Sequence, residues 1–311
     1  MELGLFVEPQ VGGSYARLVE LARWAEENGL DAFARSDHYL NGDSSAHTTE
    51  ALTALAGVAA ETSTIRLATL VSPITFHHPS VMAKAATTID EISNGRFTLG
   101  VGTGWMESEH DAFGLDLPPL RERFDRLSEA LAYLRVVFGG GGSVQGEYYS
   151  LDAPSVAPTG SSGLKIVVGG TGMRKTPTLA GRYADEYNMF VADAATLTQR
   201  IDVMRQSAVE AGRNPDDILI STAGPGLVYE DEAAHREALT ERGAKRDLSP
   251  DEYSAFLDER HVPHGIPDRA HGAIQRLAEI GVGRYYVQEV SALEEIDLDR
   301  MELVFAALRG A

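Results

Sequence analysis

Apolar and polar residues along this chain keep switching between two periods. Leu3 to Val7 (LGLFV) is a continuous apolar run of strand length, and Glu8-Pro9-Gln10-Val11-Gly12-Gly13 after it reads as a loop. Ser14 is a helix N-cap, and from it Leu18, Leu21, Ala22 and Ala25 recur at helical spacing until Asn28-Gly29 ends the helix. Asp31 to Arg35 then leads into a second strand, which completes a strand-helix-strand unit. The unit repeats with a helix on Leu52, Leu55, Ala56 and Ala59 and a strand from Ile65 to Val71 (IRLATLV). A helix on Met82, Ala85, Ala86 and Ile89, stopped by Asn94-Gly95, precedes a strand from Arg96 to Val101 (RFTLGV). Strands buried on both faces lose the apolar-polar alternation, so short unbroken apolar runs between helices predict a parallel sheet.

The second half continues the alternation with two interruptions. Arg121 to Phe138 predicts a helix with Phe124, Leu127, Leu131 and Leu134 inward. Gly139 to Ser143 (GGGGS) reads as a flexible linker, and QGEYYSL with Pro154 and Pro158 as short strands or loop, so 139–164 is expected to be an insertion after strand four. Lys165 to Val168, Glu186 to Phe190 and Ile218 to Ala223 are strands five to seven, with helices through Leu179-Ala180 and from Ile201 to Ala211. Residues 224–267 turn polar; EDEAAHREALTERGAKR predicts a solvated helix, and the segment is a second insertion with the reach of a lid. Arg284 to Gln288 is strand eight, and Met301, Val304, Phe305 and Leu308 mark a closing helix. Eight strands favour a single (β/α)8 TIM barrel over residues 1–311 rather than an open doubly wound sheet.

Composition narrows the function classes. The chain has no cysteine, which removes thiolate metal sites, thiol nucleophiles and disulfides and fits a reducing cytoplasm. Its start has no basic region or apolar run suited to a signal peptide, and no later stretch is long enough to span a bilayer, so a soluble cytoplasmic protein is expected. With 27 basic against 46 acidic residues the formal charge is −19, which argues against nucleic acid or an anionic membrane as partner. An anionic cofactor would have to be held by local backbone dipoles and a few basic side chains.

In a barrel the strand C-terminal ends converge on one mouth. Here they carry Glu8, Asp37-His38, Leu70-Val71-Ser72, Gly102-Thr103-Gly104-Trp105, Gly169-Gly170-Thr171-Gly172 and Gln288. His38 is the best proton donor or acceptor because its ordinary pKa lies near neutrality; its other reading is a packed or surface histidine. Metal binding by Asp37, His38, His77 and His78 is disfavoured, because no His-x-His pair or helical pair at i and i+4 occurs. Gly169 to Gly172 sits between strand and helix, where free N–H groups bind phosphate, with Arg174 and Lys175 adjacent; a tight turn using glycine only for its dihedrals is the alternative. Phe76 and Trp105 are flat groups that either stack on a ring or pack locally.

At these residues the chain resembles the bacterial luciferase-like monooxygenase superfamily, in particular its branch using the deazaflavin coenzyme F420. The resemblance rests on FARSDHY (33–39), TLVSPITFHHP (69–79), DEISNGRFTLGVGTGWMESEH (90–110) and VGGTGMRKTPTLAGRYADEYN (168–188), with GVGRYYVQ near the end fitting more loosely. It implies a flat cofactor across the mouth, Asp37 and His38 as the active-site pair, and His38 as the polar group nearest the reacting carbon. It further implies a non-proline cis peptide at Leu70-Val71, with Thr69, Leu70 and Val71 behind the ring. Gly102, Thr103, Gly104 and Gly169, Gly170, Thr171, Gly172, Met173 would contact the cofactor's tail and phosphate. The substrate pocket is expected beside Glu8, His47 and Trp105. Sugar-phosphate dehydrogenases of this family place a glutamate directly after the GTG turn, where this chain has Trp105, so that substrate class is not implied.

The reading is therefore an F420-dependent oxidoreductase acting on a small organic substrate, as a homodimer by family resemblance. Its rival is an FMN-dependent two-component monooxygenase using reduced flavin from a partner reductase and O2. From other classes come a non-catalytic flavin- or deazaflavin-binding protein, which has no need of His38, and a metal-dependent hydrolase, which the missing ligand motifs oppose.

Overall fold

Eight parallel strands close on themselves in the computed structural model, which describes residues 1–41, 46–161 and 164–310. They are β1 Glu2–Val7, β2 Ala32–Arg35, β3 Arg66–Thr69, β4 Phe97–Gly102, β5 Lys165–Gly169, β6 Glu186–Phe190, β7 Leu219–Gly224 and β8 Arg284–Glu289. Each pairs with the next in chain order. Strand β8 returns to β1 with Phe6 opposite Gln288, so the barrel has no open edge.

The helices are α1 Tyr15–Glu27, α2 Ala51–Glu61, α3 Pro79–Ile92, α4 Glu107–Phe113, α5 Leu120–Phe138, α6 Lys175–Tyr183, α7 Ala194–Glu210, α8 Glu232–Ala244, α9 Pro250–Glu259, α10 Pro267–Ile280 and α11 Leu298–Arg309. Their boundaries follow the sequence's own stop signals. The Ser14 hydroxyl accepts from Arg17 N at 3.1 Å, and Asn94 and Gly95 after α3 take φ of 55° and 84°. Among the described residues no helix is long and apolar enough to cross a membrane.

Period two along each strand sorts its side chains between two cores. Leu3, Leu5 and Val7 face the helices in the larger cluster, while Phe6, Ala32, Ala34, Ala68, Leu70, Val167, Ala223 and Tyr286 fill the barrel. The interior is built mostly from small residues. A Cβ on Gly4 would stand 2.6 Å from the Tyr286 ring, so one large aromatic fills the space that branched residues would otherwise share. At the closed end Arg284 donates to Glu186 at 2.6 Å and to Glu2, pairing a buried guanidinium with two carboxylates. The opposite end stays open.

Several segments differ from the sequence expectation. Helix α4 was not foreseen because only Glu109 and His110 of its seven residues are buried, leaving no apolar stripe to read. Gly139–Ser143 is no loose linker: Gly142–Gln145 pairs antiparallel with Ser150–Ala153, the glycines at 140, 141 and 142 taking positive φ. Of 139–164, residues 162 and 163 lie outside the described residues. Residues 224–267 hold two helices rather than one. Helices α8 and α9 close their own small core on Leu227, Leu239, Tyr253, Leu257 and Val262, and Leu227–Val228 pairs with His264–Gly265. Helix α9 starts with a capping box, Ser249 and Glu252, that a polar reading of the segment passes over. Helix α10 carries a regular stripe, Ala270, Ala273, Ile274 and Leu277, and α7 begins at Ala194, ahead of the expected Ile201.

The tightest interior contact is between β3 and β4. Thr69 Oγ1 donates to Gly100 O and accepts from Gly100 N, both at 2.9 Å, and a Cβ on Gly100 would lie 2.0 Å from the Thr69 carbonyl oxygen. Neither backbone can give way inside a closed barrel. Gly100→Ala is expected to destabilise the protein by about 3 kcal/mol. Gly272→Ala in α10, where the nearest atom is the far end of the Arg276 side chain at 3.4 Å, should instead stabilise by about 0.5–1 kcal/mol. Denaturant unfolding of both variants tests the pair, and equal effects would refute the assignment of Gly100 as a packing point.

Candidate active site

A cavity of about 930 Å³ opens at the C-terminal ends of the strands. Its floor is the Val71 side chain flanked by glycines. A Cβ on Gly102 would meet Val71 Cγ2 at 2.7 Å, and one on Gly169 would meet Val71 Cγ1 at 2.8 Å. Any side chain there would displace Val71 or fill the cavity, so β3, β4 and β5 together present a flat apolar patch. The Leu70-Val71 peptide that leads into it is cis.

Beside the floor lies the turn after β5. Gly170 has φ of +150°, and Cβ atoms on Gly170 and Gly172 would crowd the Thr176 side chain at 3.3 and 2.9 Å, so the turn wraps the first residues of α6 closely. No side chain caps α6, which leaves its first-turn N–H groups for a ligand. Arg200 Nη2 donates to Thr171 O at 2.6 Å and fixes the turn from behind. Arg123 lines the cavity, bonded through Nη1 to Gly104 O, and its buried Nε has no partner. Lys175 lies over the Phe124 ring, 5.1 Å from its centroid.

His38 stands on the opposite wall. Its Nδ1 lies 2.9 Å from Glu109 Oε1, and the other Glu109 oxygen accepts Tyr39 N at 3.0 Å. A carboxylate only accepts, so Nδ1 carries the proton and Nε2 is left for the cavity. Burial pulls the His38 pKa down, but the hydrogen bond and charge of Glu109, helped by the Glu8 and Asp37 carboxylates, outweigh it and raise the pKa above its ordinary value. Trp105, 68% exposed, meets the imidazole edge-on with centroids 5.8 Å apart.

A polar corner completes the lining. Gln288 Nε2 donates to Glu8 Oε1 at 2.6 Å, Gln10 donates to Glu8 Oε2, and Ser36 Oγ donates to Gln10 Oε1 at 2.6 Å.

Not every sequence-predicted residue reaches the cavity. His38, Leu70, Val71, Gly102 to Trp105, Gly169 to Gly172 and Glu8 line it. Asp37 does not: it lies past the end of β2, and its carboxyl is buried behind the wall without a well-formed hydrogen bond. Burial pushes its pKa up, the Ser72 hydroxyl and the Arg35 charge only partly opposing. Arg35 is fully buried there, bonded to Thr49 Oγ1 at 2.9 Å and Thr49 O at 2.8 Å, its pKa lowered to about 10 by burial despite nearby carboxylates. Thr69 is spent on Gly100, and Met173 lies beside the lining, Thr176 taking its place. His47 is exposed and bonded through Nδ1 to Gly13 O at 2.9 Å, outside the cavity. Phe76 stacks on Tyr39 with centroids 4.2 Å apart and is core, not a ring platform. His78 caps α3, and His77 faces Tyr39 Oη and Glu50. No residue of 224–267 lines the cavity.

The residue that sequence reading missed is Glu109. Two acidic residues in a first turn, Glu107 and Glu109, followed by Gly114 at φ 65°, form a legible helix signature that would have put Glu109 and His110 on one buried face. Gln10, Ser36, Arg123 and Asn188 carry no local signal and are recognisable only once the barrel brings them together.

The sequence profile of the luciferase-like monooxygenase family matches residues 1–298. An F420-dependent glucose-6-phosphate dehydrogenase of Nakamurella multipartita is 33% identical over 208 residues, 65% of this chain and 61% of that protein. The match thus spans about three-fifths of that relative's length. The pyrimidine monooxygenase RutA of Pseudomonas savastanoi pv. phaseolicola is 27% identical over 296 residues, covering 88% of this chain and 79% of RutA. Among solved structures, an F420-dependent secondary alcohol dehydrogenase in complex with an F420-acetone adduct superposes with a TM-score of 0.80 at 21% identity, covering 99% of both chains. The long-chain alkane monooxygenase LadA gives 0.81 at 18% identity, covering 100% of this chain and 91% of its own. The barrel is the one these structures share.

The His38–Glu109 pair yields a direct test. Glu109→Gln keeps the shape and removes the charge, so burial then dominates and the His38 pKa should fall below about 6.5, its ordinary value. An NMR titration of the imidazole Cε1–H reads this, and an unchanged midpoint would disprove the coupling. Because the folded pKa is raised, the stabilisation is complete below the unfolded value and is lost as pH rises through the folded one. The Tm gap between wild type and Glu109→Gln should therefore be larger near pH 5.5 than near pH 8.5.

Proposed function

The chain belongs to the luciferase-like monooxygenase family, and we propose that it is an oxidoreductase transferring a hydride between coenzyme F420 and a small organic substrate. The observation that carries this reading is the glycine-flanked Val71 floor lying between an uncapped helix start and an imidazole Nε2. A planar ring fits a floor on which any Cβ would collide, and an anionic tail fits the uncapped start of α6 and the positive charge of Arg123. Gly102, Gly104, Gly169 to Gly172 and Thr176 would hold the cofactor. When bound, a deazaflavin supplies hydride acceptance or donation at its C5 carbon.

The chain's own residues do the rest. Val71 and the glycines would hold the ring from one side, which would leave the His38 and Glu8 side of the cavity for substrate. His38 Nε2 gives a proton to a substrate oxygen during reduction and takes it back during oxidation. Glu109 holds the ring of His38 in the tautomer that makes this transfer. Trp105 and Phe190 border the opening and limit the water that reaches the site. The 33% identity to an F420-dependent dehydrogenase supports the deazaflavin. The RutA likeness over 88% of the chain favours a second reading, an FMN-dependent monooxygenase supplied with reduced flavin by a separate reductase.

Fluorescence titration with F420 and FMN separately distinguishes the two. F420 should bind and FMN bind at least about tenfold more weakly; tight FMN binding with none for F420 would favour the monooxygenase, and binding of neither would end the proposal. His38→Ala should keep cofactor affinity within about threefold and cut turnover by about 10²–10⁴-fold. Unreduced turnover would leave a role in binding only.

The raised His38 pKa sets the pH dependence. Its protonated form is the proton donor, so kcat for reduction should fall as pH rises through the folded value, and kcat for oxidation should rise over the same interval. Glu109→Gln should move both inflections to lower pH, and identical profiles for the two proteins would exclude His38 as the titrating group.

A further inference from the structure

Large apolar side chains exposed singly are ordinary, but here four of them surround one opening. Trp105, Leu120, Phe190 and Val290 are 68%, 54%, 46% and 62% exposed, and all four line the mouth of the cavity. They come from four separate parts of the chain, so no local sequence bias explains the cluster. Inside, the titratable lining among the described residues is Glu8, His38, Glu109 and Arg123, two carboxylates against one guanidinium. Arg123 already spends one arm on Gly104 O, and on the cofactor reading its charge serves the anionic tail.

From this we infer that the substrate is uncharged, with an apolar body and a hydroxyl or N–H group that donates to Glu8. The inference rests on the cofactor reading above only for the assignment of Arg123. A second anionic group, such as a carboxylate or phosphate on the substrate, would enter beside Glu8 and Glu109 where the one remaining cationic group, the His38 imidazole, is already paired with Glu109, and burying an unpaired charge is costly. Glu8 is an acceptor-only group held by two carboxamides, Gln10 in the turn after the first strand and Gln288 in the last strand. Its remaining lone pairs demand a donor from the ligand. The apolar rim covers the rest of such a molecule, and the specificity determinants are therefore Glu8 for the polar end and Leu120 and Val290 for the body.

Benzyl alcohol and benzoate probe this with one ring carried in neutral and anionic form, and glucose 6-phosphate adds an anion on a polar body. In Trp24→Phe protein the only tryptophan is Trp105, so its fluorescence reports occupancy of the mouth, and calorimetry on the wild type checks the same affinities. Benzyl alcohol should bind at least about tenfold more tightly than benzoate or glucose 6-phosphate. Val290→Asp and Leu120→Asp, at exposed positions that folding does not depend on, should each weaken benzyl alcohol by about fivefold or more, and Glu8→Gln should shrink the preference over benzoate to about threefold or less. Equal or tighter binding of either anion, no binding of benzyl alcohol, or rim variants without effect would overturn the inference. F420 titration of the same preparations separates the two proposals. Cofactor binding together with preference for an anion defeats this inference alone, whereas the neutral preference without cofactor binding supports it and defeats the cofactor reading.

Discussion

The double hydrogen bond between the Thr69 hydroxyl and the backbone of Gly100 fixes how closely β3 and β4 approach. That approach sets the height of Val71, which in turn requires glycine at 102 and 169. Three strands thus agree on one flat surface because of a single side chain that satisfies both a donor and an acceptor of its neighbour. The barrel's many alanines and glycines follow the same logic: with Tyr286 filling the lower interior and Phe6 lining the cavity, the small residues around them leave a volume open rather than packed.

Charge is distributed around that surface with equal economy. Glu109 is buried and would be costly alone, yet it accepts from an imidazole and a backbone amide at once. The effect on His38 is a contest in which burial is the largest influence and still loses to the sum of a direct hydrogen bond and several negative neighbours. Asp37 shows the opposite result one residue away, where burial wins and the acid is driven toward its neutral form. Two adjacent residues therefore take opposite electrostatic environments, one lining the cavity and the other buried beside Arg35 and Ser72.

The barrel was legible because its strands are short apolar runs separated by helices with clear stops, such as Asn94-Gly95. The glycine turns at 102–104 and 169–172 and His38 were legible because chemistry in this architecture gathers at strand ends, a matter of local position in the sequence. Part of what stayed hidden depends on contacts across the fold. Helix α4 has no apolar stripe, so Glu109 went unseen, and His47 looked available although it is turned onto the Gly13 carbonyl. Asp37 shares a strand end with His38, which predicts that both approach the mouth, but it lies outside the cavity lining. Helices α9 and α10 were lost to the polarity of the segment around them, although a capping box and a four-residue stripe marked them.

The polar corner of the cavity joins Glu8 to Gln288, residues 280 positions apart. No contiguous piece of the polypeptide holds both. A cut anywhere between them, if the fragments separate, abolishes the corner even when each fragment keeps most of its helices. Recognition at this site is thus a property of the finished ring of strands.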